Sequence, residues 1–187
     1  MDTASLEGGF TDPPRAASFA FRALMGAMAR PGTIHDIAGA KPPAPLSVAA
    51  ASALLTLCDP DTPVYLAGAM DTAATRAWIT FHTGAPLTGP ATCAFAVGHW
   101  EALCPLEAYP IGTPEYPDRS ATLIVECQTL AGTGTTLTGP GIRDTAAFAL
   151  PDPQAFAANN ARFPLGLDFY FTAGTQIAAL PRSTRIG

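Results

Sequence analysis

The spacing of apolar residues along the chain predicts four helices. In the first, large apolar side chains recur at i, i+3, i+4 and i+7, which is typical of an amphipathic helix with one buried face. These residues are Phe21, Leu24, Met25 and Met28. Ser18 is the expected N-cap of this helix, because its hydroxyl can accept a hydrogen bond from the first turn. Further helices are predicted over residues 47–57, 71–82 and 153–161.

Short runs of β-branched and aromatic residues between turns predict strands. These runs are residues 33–37, 64–67, 92–97, 120–127, 135–138, 167–172 and 176–180. The last two are separated by three residues that contain Gly174, so we expect them to form a hairpin. Because strands and helices are interspersed, the pattern predicts an α/β fold, a three-layer sandwich with a mixed β-sheet.

Asp168 places a carboxylate inside the apolar strand 167–172. Side chains alternate across a strand, so Asp168 should share a face with Tyr170 and not with Phe169. A buried carboxylate needs hydrogen-bond donors, and Arg182 is the nearest arginine in sequence once the hairpin folds back. Two interpretations remain, a structural aspartate that is held by such donors or a ligand-binding residue at an exposed strand end.

Composition narrows the class of protein. A chain of 187 residues is long enough to bury its own core, and we expect one domain over 1–187. No apolar run is long enough to cross a membrane, and the first fifteen residues lack an apolar signal core, so a cytoplasmic protein is expected. The net charge of −5 argues against a nucleic-acid binder.

The sequence contains no recognisable catalytic or metal-binding motif. Cys93, His99 and Cys104 fit no common zinc spacing, and the four cysteines are expected to be buried thiols. The glycine-rich stretch 132–139 is not followed by a helix, so it is interpreted as a turn and not as a nucleotide-binding loop. We therefore predict no metal ligands and no catalytic residues.

Arginine is the residue type that offers candidate ligand contacts, since the chain has nine arginines and a single lysine. A guanidinium group suits a phosphate or the carboxylate of a partner equally well. Four arginines on the first helix or beside turns are predicted as ligand-binding residues. They are Arg22, Arg119, Arg143 and Arg182.

Several segments, in their order and spacing, resemble the PhnH family over nearly the whole chain. These segments are Phe21-Arg22-x-Leu-Met-x-Ala-Met28 with Pro31-Gly32, Leu54-Leu-Thr-Leu57, Asp59-x-Asp-Thr-Pro-Val64, Phe81-His-Thr-Gly-Ala-Pro86, Gly112-Thr113, Ala121-Thr-Leu123, Leu137-Thr-Gly-Pro-Gly-Ile142 and Phe163-Pro-Leu-Gly-Leu-Asp168 with Pro181-Arg182. The family is a subunit of the bacterial carbon–phosphorus lyase system for phosphonate use.

The resemblance implies a fold like the large domain of pyridoxal-phosphate-dependent transferases. It implies a homodimer when the protein is isolated and a larger complex with the PhnG, PhnI and PhnJ subunits. That system is implied to replace the adenine of ATP with methylphosphonate, giving alpha-D-ribose 1-methylphosphonate 5-triphosphate. The resemblance brings no catalytic residues to this chain.

The residues themselves bear on whether a cofactor is expected. A pyridoxal enzyme needs a lysine for its Schiff base, and the only lysine here is Lys41, beside Pro42-Pro43 in a predicted loop. We therefore expect a fold like that of the pyridoxal-phosphate-dependent transferases, but without bound pyridoxal phosphate. Three functions remain: an accessory subunit of the phosphonate complex, which is favoured, a small-molecule-binding module that takes a phosphonate or nucleotide, and a free-standing transferase.

Overall fold

A computed structural model describes residues 7–187, and its strands form two sheets. The strands over these residues are β1 (His35–Asp36), β2 (Val64–Leu66), β3 (Phe95–Gly98), β4 (Thr122–Glu126), β5 (Thr135–Thr138), β6 (Ala146–Phe148), β7 (Asp168–Ala173), β8 (Gln176–Leu180) and β9 (Arg185–Ile186). The main sheet has six strands in the order β1-β8-β7-β4-β3-β2, and a smaller sheet has the order β6-β5-β9.

The main sheet is mixed, as the sequence predicts. Strands β2, β3, β4 and β7 run parallel, whereas β8 is antiparallel to β7 and β1 is antiparallel to β8. The predicted hairpin is the β7–β8 pair, in which Phe171 lies opposite Ala178. The short strands β6 and β9 were not predicted, because two or three residues are too few to show an alternating pattern.

Helices flank the main sheet. They are α1 (Pro13–Ala29), α2 (Val48–Leu57), α3 (Ala73–Thr83), α4 (Trp100–Leu103) and α5 (Pro153–Asn160). The prediction of Ser18 as an N-cap is wrong, because α1 begins earlier, at Pro13-Pro14. Proline is tolerated at the first helical positions, because the N–H groups there have no hydrogen-bond partner within the helix. The hydroxyl of Thr72 caps α3 by accepting from the N–H of Thr75 at 3.0 Å.

Two apolar cores cover the two faces of the main sheet. The core on one side contains residues of α1, α2 and α3, and it includes Leu24, Leu54, Trp78, Ile124 and Tyr170. The core on the other side contains residues of α4, α5 and the small sheet, and it includes Leu103, Leu137, Phe148, Phe156, Phe169 and Phe171. The α/β prediction and the alternation of Tyr170 against Phe169 are therefore confirmed.

The buried face of α1 agrees with the predicted one at Leu24 but differs from it at Phe21 and Met25. Ala20, Leu24 and Ala27 are buried, whereas Phe21 and Met25 are exposed. Small alanine side chains let a helix backbone approach its neighbours closely. A helix with apolar residues on two overlapping faces can bury either of them, so spacing alone did not identify the buried one.

No helix among residues 7–187 combines the length and the apolar composition that a bilayer span requires. The N-terminal segment for which no signal core is expected extends over residues 1–15, and its first six residues lie outside the described part.

Candidate functional site

The carboxyl ends of β3 and β4 bring polar side chains together at one edge of the main sheet. Ligands of open α/β sheets bind outside the carboxyl ends of the parallel strands. Here His99 follows β3, and Glu126 is the last residue of β4. A cleft of about 240 Å³ lies at this edge. Its lining residues are His99, Trp100, Glu101, Val125, Glu126, Cys127, Gln128 and Pro151.

Glu126 is a buried carboxyl group, with 6% of its surface exposed. Its Oε1 accepts from the backbone N–H of Ser47 at 2.8 Å, and its Oε2 accepts from the hydroxyl of Thr172 at 3.0 Å. Burial raises the pKa of Glu126, because a charged carboxylate is poorly solvated there. The hydrogen bonds from Ser47 and Thr172 favour the charged form and lower the pKa, but their effect is smaller than that of burial. Because Ser47 is the N-cap of α2, Glu126 links β4 to β7 and to the start of that helix.

His99 is exposed at the mouth of the cleft, and its ring is oriented by the backbone. Its Nδ1 lies 3.0 Å from the carbonyl oxygen of Glu126. The tautomer with a proton on Nδ1 donates to this carbonyl, which leaves Nε2 as an acceptor. His99 can therefore accept a hydrogen bond or a proton from a molecule in the cleft.

Cys127 follows Glu126 and is half-buried. Burial raises the pKa of its thiol to about 11. Since the thiolate is the nucleophilic form, Cys127 is a poor nucleophile at neutral pH. The cleft offers hydrogen bonds and proton exchange to a ligand, not thiolate attack.

The contact between the His99 ring and the backbone carbonyl of Glu126 was missed by sequence reasoning, which considered His99 as a metal ligand with Cys93 and Cys104. The two residues are 27 positions apart and meet only because β3 and β4 pair in parallel. One signal could have found them, since both lie where consecutive predicted strands end.

Metal binding has no support in the described residues, 7–187. No group of three or more histidine, cysteine, aspartate or glutamate side chains there could hold an ion. Cys93 is buried, and its thiol lies 3.3 Å from the carbonyl oxygen of Pro90. Cys104 is exposed, so the expectation of a buried thiol is wrong for that residue.

Arg182, one of the four predicted ligand-binding arginines, is already engaged at the opposite edge of the sheet. Its guanidinium pairs with Asp168, and its Nη1 donates to the carbonyl of Pro117 at 2.7 Å. Its Nη2 also donates to the hydroxyl of Ser120. A ligand at Arg182 would have to displace these contacts.

The other three predicted arginines are exposed and lie on separate elements. Arg22 is in the middle of α1, and Arg143 lies between β5 and β6. Arg119 stacks over the ring of Tyr116, 4.2 Å from its centroid. Arg119 belongs to the 3₁₀ turn Pro117–Arg119, so the structure brings it to the loop that Arg182 contacts. A ligand-binding role for these residues stays a prediction.

The fold and the cleft define an α/β protein with a polar site at the carboxyl ends of a mixed sheet. A family model described as "Bacterial phosphonate metabolism protein (PhnH)" matches residues 8–187. The chain therefore belongs to the PhnH family, and the resemblance found in its motifs is confirmed.

Two relatives extend this result. A protein of Rhizobium meliloti (strain 1021), named alpha-D-ribose 1-methylphosphonate 5-triphosphate synthase subunit PhnH, is 43% identical over 191 aligned residues, which cover 96% of this chain and 94% of the relative. A protein of Stutzerimonas stutzeri, named putative C-P lyase subunit protein HtxG, is 36% identical over 88 residues, which cover 43% of this chain and 45% of the relative.

Proposed function

We propose that this chain is a subunit of a carbon–phosphorus lyase complex and supports the synthesis of alpha-D-ribose 1-methylphosphonate 5-triphosphate from ATP and methylphosphonate. The observation that carries the proposal is the 43% identity to the rhizobial synthase subunit, which extends along 96% of the chain. The family match over residues 8–187 supports it independently of any single motif.

In this proposal the chain is an accessory subunit and is not catalytic alone. Both carboxylate oxygens of Glu126 are held by Ser47 and Thr172, and the pKa of Cys127 is raised to about 11. These contacts suit a structural or binding role better than a nucleophilic one.

The finer features of the proposal follow from the family resemblance. The partners are the PhnG, PhnI and PhnJ subunits, and the isolated chain forms a homodimer. The fold is related to the large domain of pyridoxal-phosphate-dependent transferases, for which the mixed sheet with helices on its faces is consistent support. A cytoplasmic location agrees with four free cysteines, which are typical of a reducing compartment.

Co-expression with and without the other subunits tests the proposal. With ATP and methylphosphonate as substrates, we expect adenine release only when this chain and the other subunits are present together. Omission of this chain should abolish the release, and addition of the purified chain should restore it. Turnover by the isolated chain would contradict the accessory role and favour a free-standing transferase.

A small-molecule-binding module is the second candidate function, and the cleft at the carboxyl ends of β3 and β4 favours it. Calorimetric titration of the isolated chain with ATP and with methylphosphonate tests this function. Binding that His99→Ala weakens and Arg119→Ala does not would place the ligand in the cleft. The reverse result would place the ligand at the predicted arginine.

A further inference from the structure

Helix α1 exposes an unusual amount of apolar surface. Six large apolar side chains among residues 7–187 are strongly exposed, and three of them belong to α1. These three are Phe19 at 58%, Phe21 at 48% and Met25 at 51% exposure. Exposed apolar groups that cluster on one element mark an interaction site more often than isolated ones do.

Helix geometry places these side chains around one arginine. Successive residues are about 100° apart around a helix axis, so Arg22 lies opposite the buried Leu24 and Ala27 side of α1. Phe19 then flanks Arg22 on one side, while Phe21 and Met25 flank it on the other. The exposed side of α1 is thus an apolar band with a cation at its centre.

Further positive charge accompanies the band. Arg15 and Arg30 are exposed at the two ends of α1, and the guanidinium of Arg15 lies 5.8 Å from the ring centroid of Phe19. Residues 13–30 contain no aspartate or glutamate, although the chain has a net charge of −5. We call Arg15, Phe19, Phe21, Arg22, Met25 and Arg30 the α1 surface.

A groove beside Phe19 continues the α1 surface. It has a volume of about 280 Å³, and Ala16 and Gly39 form part of its wall. Most of its accessible lining is apolar, so a partner's apolar side chain fits it.

We propose that the α1 surface docks a different subunit of the complex, one that presents apolar side chains within an acidic rim. This inference rests on the proposed function, because it names the surface through which the chain joins that complex. Positive charge on an otherwise acidic protein is complementary to such a rim, and complementary charge steers association and fixes its orientation.

A second copy of this chain is a poorer occupant. A two-fold contact uses the same patch on both copies, and pairing centred on the α1 surface brings Arg22 against its own counterpart. Like charges at an interface disfavour that pairing. The α1 surface could instead contact an acidic part of another copy, but such a contact is head-to-tail. Head-to-tail contacts generate larger rings or filaments and not a closed dimer.

Affinity co-purification with the PhnG, PhnI and PhnJ subunits tests the inference. The test variants are Phe21→Ser combined with Met25→Ser, and Arg22→Glu. The matched controls are Phe81→Ser, at an equally exposed phenylalanine of α3, and Arg185→Glu, at another exposed arginine. Circular dichroism and thermal melting establish that each variant folds.

We expect both test variants to bind the other subunits about tenfold more weakly or worse, and both controls to bind like the parent. The effect of Arg22→Glu should shrink at high salt, because salt screens exposed charges. Parent-like binding by both test variants would overturn the inference while leaving the proposed function intact. A parent chain that fails to co-purify would overturn both.

Light scattering and vesicle sedimentation address other occupants of the α1 surface. We expect the test variants to keep the parent's oligomeric state in isolation, and neither parent nor variant to sediment with vesicles of anionic phospholipid. Loss of self-association in the variants would assign the surface to a second copy instead. Vesicle binding that the variants abolish would assign it to a membrane.

Discussion

The backbone N–H and the guanidinium of Arg182 both donate hydrogen bonds to the carboxylate of Asp168. Its backbone N–H donates to Oδ1 of Asp168 at 2.8 Å, and its Nε donates to the same oxygen at 3.2 Å. Its Nη2 contacts Oδ2 at 2.5 Å. Because the same guanidinium also reaches Pro117 and Ser120, this pair ties the β7–β8 hairpin to the loop before β4.

The first prediction concerns this pair. Asp168→Ala leaves the guanidinium of Arg182 without its counter-charge, and breaking a buried pair in this way costs about 3–5 kcal/mol. The Asp168 side chain keeps 23% exposure, so we expect the lower end, about 3 kcal/mol. Thermal denaturation should show a melting temperature lower by roughly 6–12 °C.

Asp71→Ala is the control for this experiment, because Asp71, just before α3, also pairs with an arginine, Arg76, but both side chains are exposed to solvent. Water screens an exposed pair, so it contributes little to stability, and the melting temperature of Asp71→Ala should fall much less than that of Asp168→Ala. If Asp168→Ala melts like the parent, the structural interpretation of Asp168 is wrong and a ligand role is favoured.

The second prediction concerns pH. A carboxyl group whose pKa is raised on folding binds its proton more tightly in the folded state, so it favours folding at low pH. This contribution is lost as the pH rises from the ordinary carboxyl value of 4.5 through the raised pKa of Glu126. Glu126→Gln keeps an acceptor for Ser47 but cannot ionise.

Urea denaturation at several pH values measures this effect. The stability of Glu126→Gln relative to the parent should increase as the pH rises from about 4.5 to 8. Glu101→Gln removes an exposed carboxylate from the same cleft and is the control. A stability difference that stays constant with pH would show that the ionisation of Glu126 does not oppose folding.

The Glu126→Ala variant should lose about 1–3 kcal/mol of unfolding free energy, because the N–H of Ser47 loses its hydrogen-bond partner.

The third prediction concerns thiol reactivity. Cys104 is exposed, whereas Cys58 and Cys93 are buried and their pKa values are raised by burial to about 12 and about 11. Iodoacetamide should label Cys104 in the folded protein and reach Cys58 and Cys93 only after denaturation. Peptide mass mapping identifies which cysteines carry the label. Cys104→Ser should remove the label that forms in the folded protein. Rapid native labelling of Cys58 would contradict the packing around α2.

The fourth prediction concerns pyridoxal phosphate. Lys41 is exposed in a loop, and its backbone N–H donates to the carbonyl of Gly8 at 2.8 Å. An active-site lysine of a pyridoxal enzyme is instead enclosed with its cofactor. Titration with stoichiometric pyridoxal phosphate should give no aldimine absorbance that Lys41→Ala removes. A Lys41-dependent band would show that the cofactor binds after all.

Local sequence signals determined the order of the elements. Turn residues and alternating or helical spacing act over a few residues, so the β7–β8 hairpin and α2 were predictable to within one or two residues at each end. The Asp168–Arg182 pair was also predictable, because a hairpin brings residues 14 apart into contact. The family motifs, spread over the chain in a fixed order, carried the relationship to PhnH proteins.

The tertiary structure decided which distant residues meet and which apolar face is buried. Ser47 and Glu126 are 79 positions apart, and their contact depends on the packing of α2 against the carboxyl ends of the parallel strands. The burial of Ala20 and Ala27 in place of Phe21 and Met25 depends on how closely α1 approaches its neighbours. Spacing along one segment contains no information about such contacts, because their free energy comes from partners elsewhere in the chain.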